Sequence, residues 1–163
     1  MAVGAASWSF TEDDYGAITQ SLQRFLYESN ARCALLVDRT GQLVTTVGEP
    51  PAFDPTAFAT LTAADFSAND QLARLIGERD FNTLFHQGER ESMYLADVAR
   101  RVILVVLFDN RTTLGLVRLK MKGAVDDLTR LFEQVFHRDA ADGGATTHNL
   151  LAGADDEIDR LFQ

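Results

Sequence analysis

The run Arg101-Val102-Ile103-Leu104-Val105-Val106-Leu107-Phe108-Asp109 constrains this chain more than any other stretch. Its seven consecutive apolar residues, Val102 to Phe108, fall far short of the roughly 20 that a membrane-spanning helix needs. They also leave no polar position for either face to present to water. Val102, Ile103, Val105 and Val106 are β-branched, which predicts a central strand covered on both sides. Asp109-Asn110-Arg111 is a polar corner of the kind that ends strands.

Two patterns overlap after that corner. Val117, Leu119 and Met121 alternate with Arg118 and Lys120, as a hairpin partner would. Leu114, Val117, Met121, Val125, Leu128, Phe132 and Val135 recur at three and four residues over a longer span, and Thr112 or Thr113 can cap the start. The longer pattern predicts one amphipathic helix to about Arg138. A buried strand feeding such a helix is the spine of the domain.

The remaining elements follow from local signals. Thr11-Glu12-Asp13-Asp14 opens a helix whose Tyr15, Ile18, Leu22, Phe25 and Leu26 make one apolar stripe, with Asn30 as its stop. Cys33 to Val37 is a second strand apolar on both faces, turned at Asp38-Arg39-Thr40-Gly41-Gln42 into Leu43 to Val47. Asp54-Pro55 starts a helix expected to run to Ile76 and stop at Gly77, with Phe58, Leu61, Leu72, Leu75 and Ile76 on its inner side. The adjoining flank of Thr60, Ala64, Ser67, Gln71 and Arg74 is small or polar and lets another backbone approach. Phe81 to Gln87 and Ser92 to Val98 read as strands, the first a short edge strand containing Leu84 and His86. The order α-β-β-α-β-β-β-α with short connections predicts an α/β domain: a five-stranded antiparallel sheet with helices on both faces.

Residues 1–10 form an N-terminal tail before the domain at 11–138. From Asp139 to Ala154 the periodicity lapses around Gly143-Gly144, which predicts a flexible linker. Residues 155–163 regain it, with acidic residues first and Ile158, Leu161 and Phe162 on one face. Nine residues alone do not hold a helix in water, so this segment is expected to be disordered until it binds something.

The chain holds few signs of chemistry. It has no phosphate-binding glycine loop, no nucleophile elbow, and its His86, His137 and His148 stand apart from one another and from Cys33. Neither a catalytic residue nor a metal or cofactor site is expected. Arg111 and Arg118 are conceivable arginine fingers, but arginines beside a helix start are common. A formal net charge of −9 argues against nucleic acid or an anionic membrane as the main partner. Met1 to Phe10 lack the basic and apolar regions of a signal peptide, so a cytoplasmic protein without membrane insertion is the expectation.

Several of these stretches resemble the roadblock family, in particular its bacterial gliding-motility members. They are Phe108-Asp109-Asn110-Arg111-Thr112-Thr113-Leu114-Gly115-Leu116-Val117-Arg118, the Asp38-x-x-Gly41-x-Leu43 hairpin, Leu61-Thr62-Ala63, Leu75-Ile76-Gly77-Glu78 and the terminal Asp156-x-Ile158-Asp159-x-Leu161-Phe162. The resemblance implies a homodimer that binds a small Ras-like GTPase of the MglA type, prefers its GTP form, and activates hydrolysis without a catalytic residue of its own. It also implies a role in motility and cell polarity, with a position at a cell pole. Dimer contacts are then expected at Thr83, Leu84, Phe85 and His86 on the edge strand and along the helix after the first hairpin. GTPase contacts are expected at Ala64, Ser67, Ala68, Gln71 and Arg74. A terminal helix touching the GTPase outside the main interface, and influencing nucleotide exchange, implicates Ile158, Leu161 and Phe162. Two other classes stay open at this point: a scaffold that recruits a GTPase without changing its chemistry, and a ligand-sensing module. The sensor reading requires inward polar residues, and Val102 to Phe108 offers none.

Overall fold

The structure is a computed structural model that describes residues 9–161, with side chains described for residues 9–141. The elements run α1 (Glu12–Ser29), β1 (Cys33–Asp38), β2 (Leu43–Gly48), α2 (Pro55–Leu75), β3 (Thr83–Gln87), β4 (Ser92–Val98), β5 (Val102–Phe108) and α3 (Leu114–Leu161). The strands form one sheet in the order β2-β1-β5-β4-β3, and each neighbouring pair is antiparallel. The predicted architecture and order are those observed.

The two apolar runs occupy the middle of the sheet for the reason their composition gives. Alternate residues of β1, β4 and β5 point to opposite faces, and each face has its own cover. Ala34, Leu36, Tyr94, Ala96, Val98, Val102, Leu104, Val106 and Phe108 meet Ile18, Leu22 and Phe25 of α1 and Val117, Met121, Ala124, Leu128 and Phe132 of α3. Cys33, Leu35, Val37, Leu95, Ile103 and Val105 meet Ala59 and Phe66 of α2. Cys33 is a core residue here, and burial pushes its thiol pKa up, away from the reactive thiolate.

Local chemistry sets the ends. Thr11 caps α1 in a full capping box with Asp14, and Asn30 closes it in the left-handed conformation at φ 55°. Arg138 of α3 pairs with Asp14 at 2.6 Å, tying the start of α1 to the last packed turns of α3. At the other end of the domain Arg111 bonds both Asp109 and Glu49 at 3.0 Å, and Arg32 bonds Glu49 at 2.8 Å and also Glu91. These residues flank β1, β2, β4 and β5, so the Phe-Asp-Asn-Arg run is a clasp across strand ends. The hydrogen bonds from Arg111 hold the Asp109 and Glu49 carboxyls below their usual range.

One local expectation differs from the structure. α3 does not end near Arg138: its backbone stays helical to Leu161, through the stretch read as a linker and into the segment expected to be disordered. Gly143, Gly144 and Gly153 cost about 1 kcal/mol each relative to alanine, which does not by itself stop a helix, and no proline lies between Asp139 and Gln163. The β4–β5 connection is also unusual. Ala99 and Arg100 both take positive φ, 54° and 58°, and Arg101 N–H donates to Val98 O at 3.1 Å. That geometry normally selects glycine or asparagine, and each ordinary residue held there costs on the order of 1 kcal/mol or more.

Candidate functional site

α2 starts at Asp54, whose carboxylate accepts from Thr56 N–H at 3.0 Å, with Pro55 in the first turn. It ends where the sequence placed the stop. Gly77 stands at φ 86°, its N–H donates to Arg74 O at 3.1 Å, and Glu78 N–H donates to Ala73 O at 2.9 Å. This paired arrangement satisfies carbonyls that the helix leaves open.

The face that α2 turns inward is the opposite of the one its large apolar residues predict. Ala59, Thr62, Ala63, Phe66, Asn69 and Ala73 are buried, while Leu61, Leu72, Leu75 and Ile76 are 69%, 58%, 82% and 70% exposed. Of the predicted inner stripe only Phe58 packs against the core, and only partly. Small side chains let α2 lie close to the sheet, and one large ring, Phe66, fills the space beneath it. Two polar residues beside Phe66 find partners that offset part of their burial. Asn69 donates to Phe81 O at 3.4 Å, and Asp70, on the flank, accepts from Arg39 at 2.7 Å.

The outer face is therefore an apolar stripe. Leu61, Ala64, Ala68, Leu72 and Leu75 follow one another at three and four residues and are all exposed, over a length of about 21 Å. Ser67, Gln71 and Arg74 are exposed along its flank. All five α2 residues expected to bind a partner are thus at the surface. Exposed aliphatic side chains in a continuous row mark a surface that another molecule covers.

The same helix reaches an edge strand through Asp65 and His86. β3 pairs with β4 alone, leaving its other side unpaired among the described residues. Leu84 faces α2 and joins the cluster around Phe66, and His86 Nε2 meets Asp65 Oδ2 of α2 at 2.7 Å. Phe85 faces the other way and stacks on Phe108 with ring centres 6.2 Å apart. Thr83 and His86 are exposed. Of the predicted edge residues, Leu84 and His86 thus lie on the α2 side of the sheet, while Thr83 and Phe85 lie on the other. Ile158 and Leu161 lie in the part of α3 whose side chains are not described, and Phe162 lies outside the described residues. Leu61, Leu72, Leu75 and Ile76, expected on the inner side of α2, lie on this exposed surface instead. The signal that could have found them is that Thr62, Ala63, Phe66, Asn69 and Ala73 form their own run at helical spacing.

Among the described residues no group of three or more His, Cys, Asp or Glu is placed to hold a metal, and no helix is long and apolar enough to cross a membrane. Arg111 is committed to Asp109 and Glu49, and Arg118 is exposed on α3, across the sheet from α2.

Known proteins share this architecture. The chain matches the Roadblock/LC7 domain over residues 18–108. It is 46% identical to MglB of Myxococcus xanthus, with a TM-score of 0.69 over 72% of this chain and 95% of that one. It is 33% identical to the gliding protein MglB of Thermus thermophilus, with a TM-score of 0.75 over 80% of this chain and 98% of that one. A further MglB, described as having a tetrameric arrangement, is 33% identical with a TM-score of 0.76, over 80% of this chain and 98% of that one. The strand order, the clasp at Phe108 to Arg111 and the matched residues lead to one conclusion: this chain belongs to the Roadblock/LC7 family.

Proposed function

We propose that this protein is a homodimeric regulator of a small Ras-like GTPase of the MglA type, engaging the GTP-bound form and accelerating hydrolysis in a motility or polarity system. The observation that carries the reading is the exposed row Leu61, Ala64, Ala68, Leu72 and Leu75, on a helix that reaches the open edge of β3 through Asp65 and His86, in a chain similar to MglB. Two copies related by a two-fold axis bury both apolar rows and pair both edges in one contact. The paired α2 helices then present Ser67, Gln71 and Arg74 of each copy as a polar rim to the GTPase, with Ala64 and Ala68 at its boundary. With Arg111 tied down, the chain contributes position rather than a catalytic group: it holds the GTPase's own residues in the geometry of the transition state. The terminal segment, through Ile158, Leu161 and Phe162, contacts the GTPase outside this surface and affects nucleotide exchange.

The test combines mass in solution with hydrolysis. A particle of twice the chain mass at micromolar concentration, and a rise in GTP hydrolysis by a purified MglA-type GTPase when this protein is added, are the expected results. A monomer overturns the shared interface. Binding without any change in hydrolysis reduces the protein to a recruiting scaffold.

A further inference from the structure

Three elements far apart in sequence meet at one end of the sheet. Arg39, which follows β1, lies over the ring of Phe66 in α2, 5.3 Å from its centre. One guanidinium nitrogen donates to Asp70 Oδ2 of α2 at 2.7 Å, and the other donates to Asp97 near the end of β4. Asp97 has a second duty, since its Oδ2 accepts from Arg100 N–H at 3.2 Å within the left-handed turn at Ala99 and Arg100. Arg39 N–H also donates to Arg101 O at 3.2 Å. The Arg101 guanidinium in turn lies over Phe136 of α3, 4.7 Å from its ring centre. An unbroken set of contacts thus runs from Asp70, on the flank of the uncovered helix, to the last packed turns of α3 on the opposite face of the sheet.

Two features make this set able to rest in more than one arrangement. The turn is strained, so it depends on the bonds that hold it, and Asp97 makes one of them. The ionic group is also under-bonded. Arg39 Nε and Asp70 Oδ1 are both buried, and neither has a hydrogen-bond partner. A small shift of Asp70 can therefore change how the guanidinium is shared between its two carboxylates.

We propose that the Asp70–Arg39–Asp97 group couples the outer face of α2 to the base of the α3 extension. A load on α2 that moves Asp70 redistributes Arg39 toward or away from Asp97. That tightens or loosens the turn at residues 98–102, and with it the hold of Arg101 on Phe136. Arg39 is a positioning residue in this scheme. The coupling is internal to one chain and holds for any molecule seated on α2, so it does not depend on the GTPase reading.

Amide hydrogen exchange on the full chain tests it, because the coupling predicts opposite signs for two similar substitutions. Asp70→Asn leaves the guanidinium to Asp97 and is expected to slow exchange at 98–102 and 132–139. Asp97→Asn removes the hold on the turn and is expected to speed exchange in both places, each change being about threefold or more. A merely structural salt bridge predicts faster exchange in both variants. Faster exchange at 98–102 and 132–139 after Asp70→Asn, or a change confined to α2 and residues 38–42, overturns the proposal. If Asp70→Asn does not fold, Phe136→Leu decides: altered exchange across 66–74, on the other face of the sheet, supports the coupling, and unchanged exchange there overturns it.

Discussion

The two faces of the sheet are covered in opposite ways. α1 and α3 press large residues, Leu22, Phe25, Met121, Leu128 and Phe132, into the sheet, and among the described residues they leave only the scattered Tyr15, Tyr27 and Leu119 exposed as large apolar side chains. α2 presses mainly small and polar residues inward and turns its leucines to solvent. Hydrophobic burial alone would rotate α2 by half a turn. Its observed orientation is fixed by Phe66, by the close approach that Ala59 and Ala63 permit, and by the bonds from Asn69 and Asp70. One face of the sheet thus keeps its large side chains inside, while the other carries an exposed outer row.

The largest break in that contrast comes from the closed face. Phe132→Ala removes a fully buried ring and is expected to cost about 3–5 kcal/mol in denaturant unfolding. A cost below about 1 kcal/mol would mean that the closed face is not the main source of stability. On the open face, Leu72→Arg with Leu75→Arg is expected to shift folding stability by no more than about 0.5 kcal/mol per site. The same pair should weaken self-association by about 100-fold or more in sedimentation, since it places charge in a contact centre. Intact dimers in the double variant would move the interface off this row. Phe85 is a poor probe of the open edge, because its ring belongs to the closed face through Phe108.

A smaller effect separates the row from its flank. Ser67→Arg with Gln71→Arg should lower GTPase affinity by about tenfold or more while the dimer and its melting temperature persist. Normal stimulation of hydrolysis by that variant would place the GTPase elsewhere. Truncation after Arg138 should leave folding and dimerisation intact and change nucleotide exchange several-fold, on the order of 1 kcal/mol. Unchanged affinity, hydrolysis and exchange would remove the end of α3 from the mechanism.

The smallest expected effect concerns the seam between α1 and α3. The hydrogen bond from Arg138, with help from Thr11, lowers the Asp14 pKa below its ordinary value near 3.8. A carboxylate with a depressed folded pKa stabilises the fold above its unfolded pKa, and that contribution fades as pH falls through the folded value. Stability should therefore drop below about pH 4, and Asp14→Asn should flatten that acid limb while costing about 1 kcal/mol at neutral pH through the lost cap. An acid limb identical in both proteins would show that Arg138 contributes nothing through Asp14.

Most of the fold was legible because its strongest signals are local. Seven apolar residues in a row, four of them β-branched, favour a strand covered on both faces, and Thr11, Asn30, Asp54-Pro55 and Gly77 mark helix ends through bonds made within a few residues. The candidate surface was half legible. Ala64, Ser67, Ala68, Gln71 and Arg74 were placed on an exposed flank and are there, but Leu61, Leu72, Leu75 and Ile76 were read as core. The turn at Ala99-Arg100 carried no signal at all, since neither residue advertises positive φ.

The amino-acid order by itself determined the element sequence, the two central strands, the family resemblance and the absence of any recognised catalytic motif. Each of these depends on spacing and side-chain chemistry within a short window. Only the tertiary structure decided which side of α2 faces the sheet, that Arg39 bridges α2 to β4, and that α3 stays helical beyond Arg138. The orientation of an amphipathic helix with two plausible faces is set by what the sheet offers it. A ring-sized space for Phe66 and acceptors for buried polar groups outweigh four leucine-class side chains that a partner can cover instead.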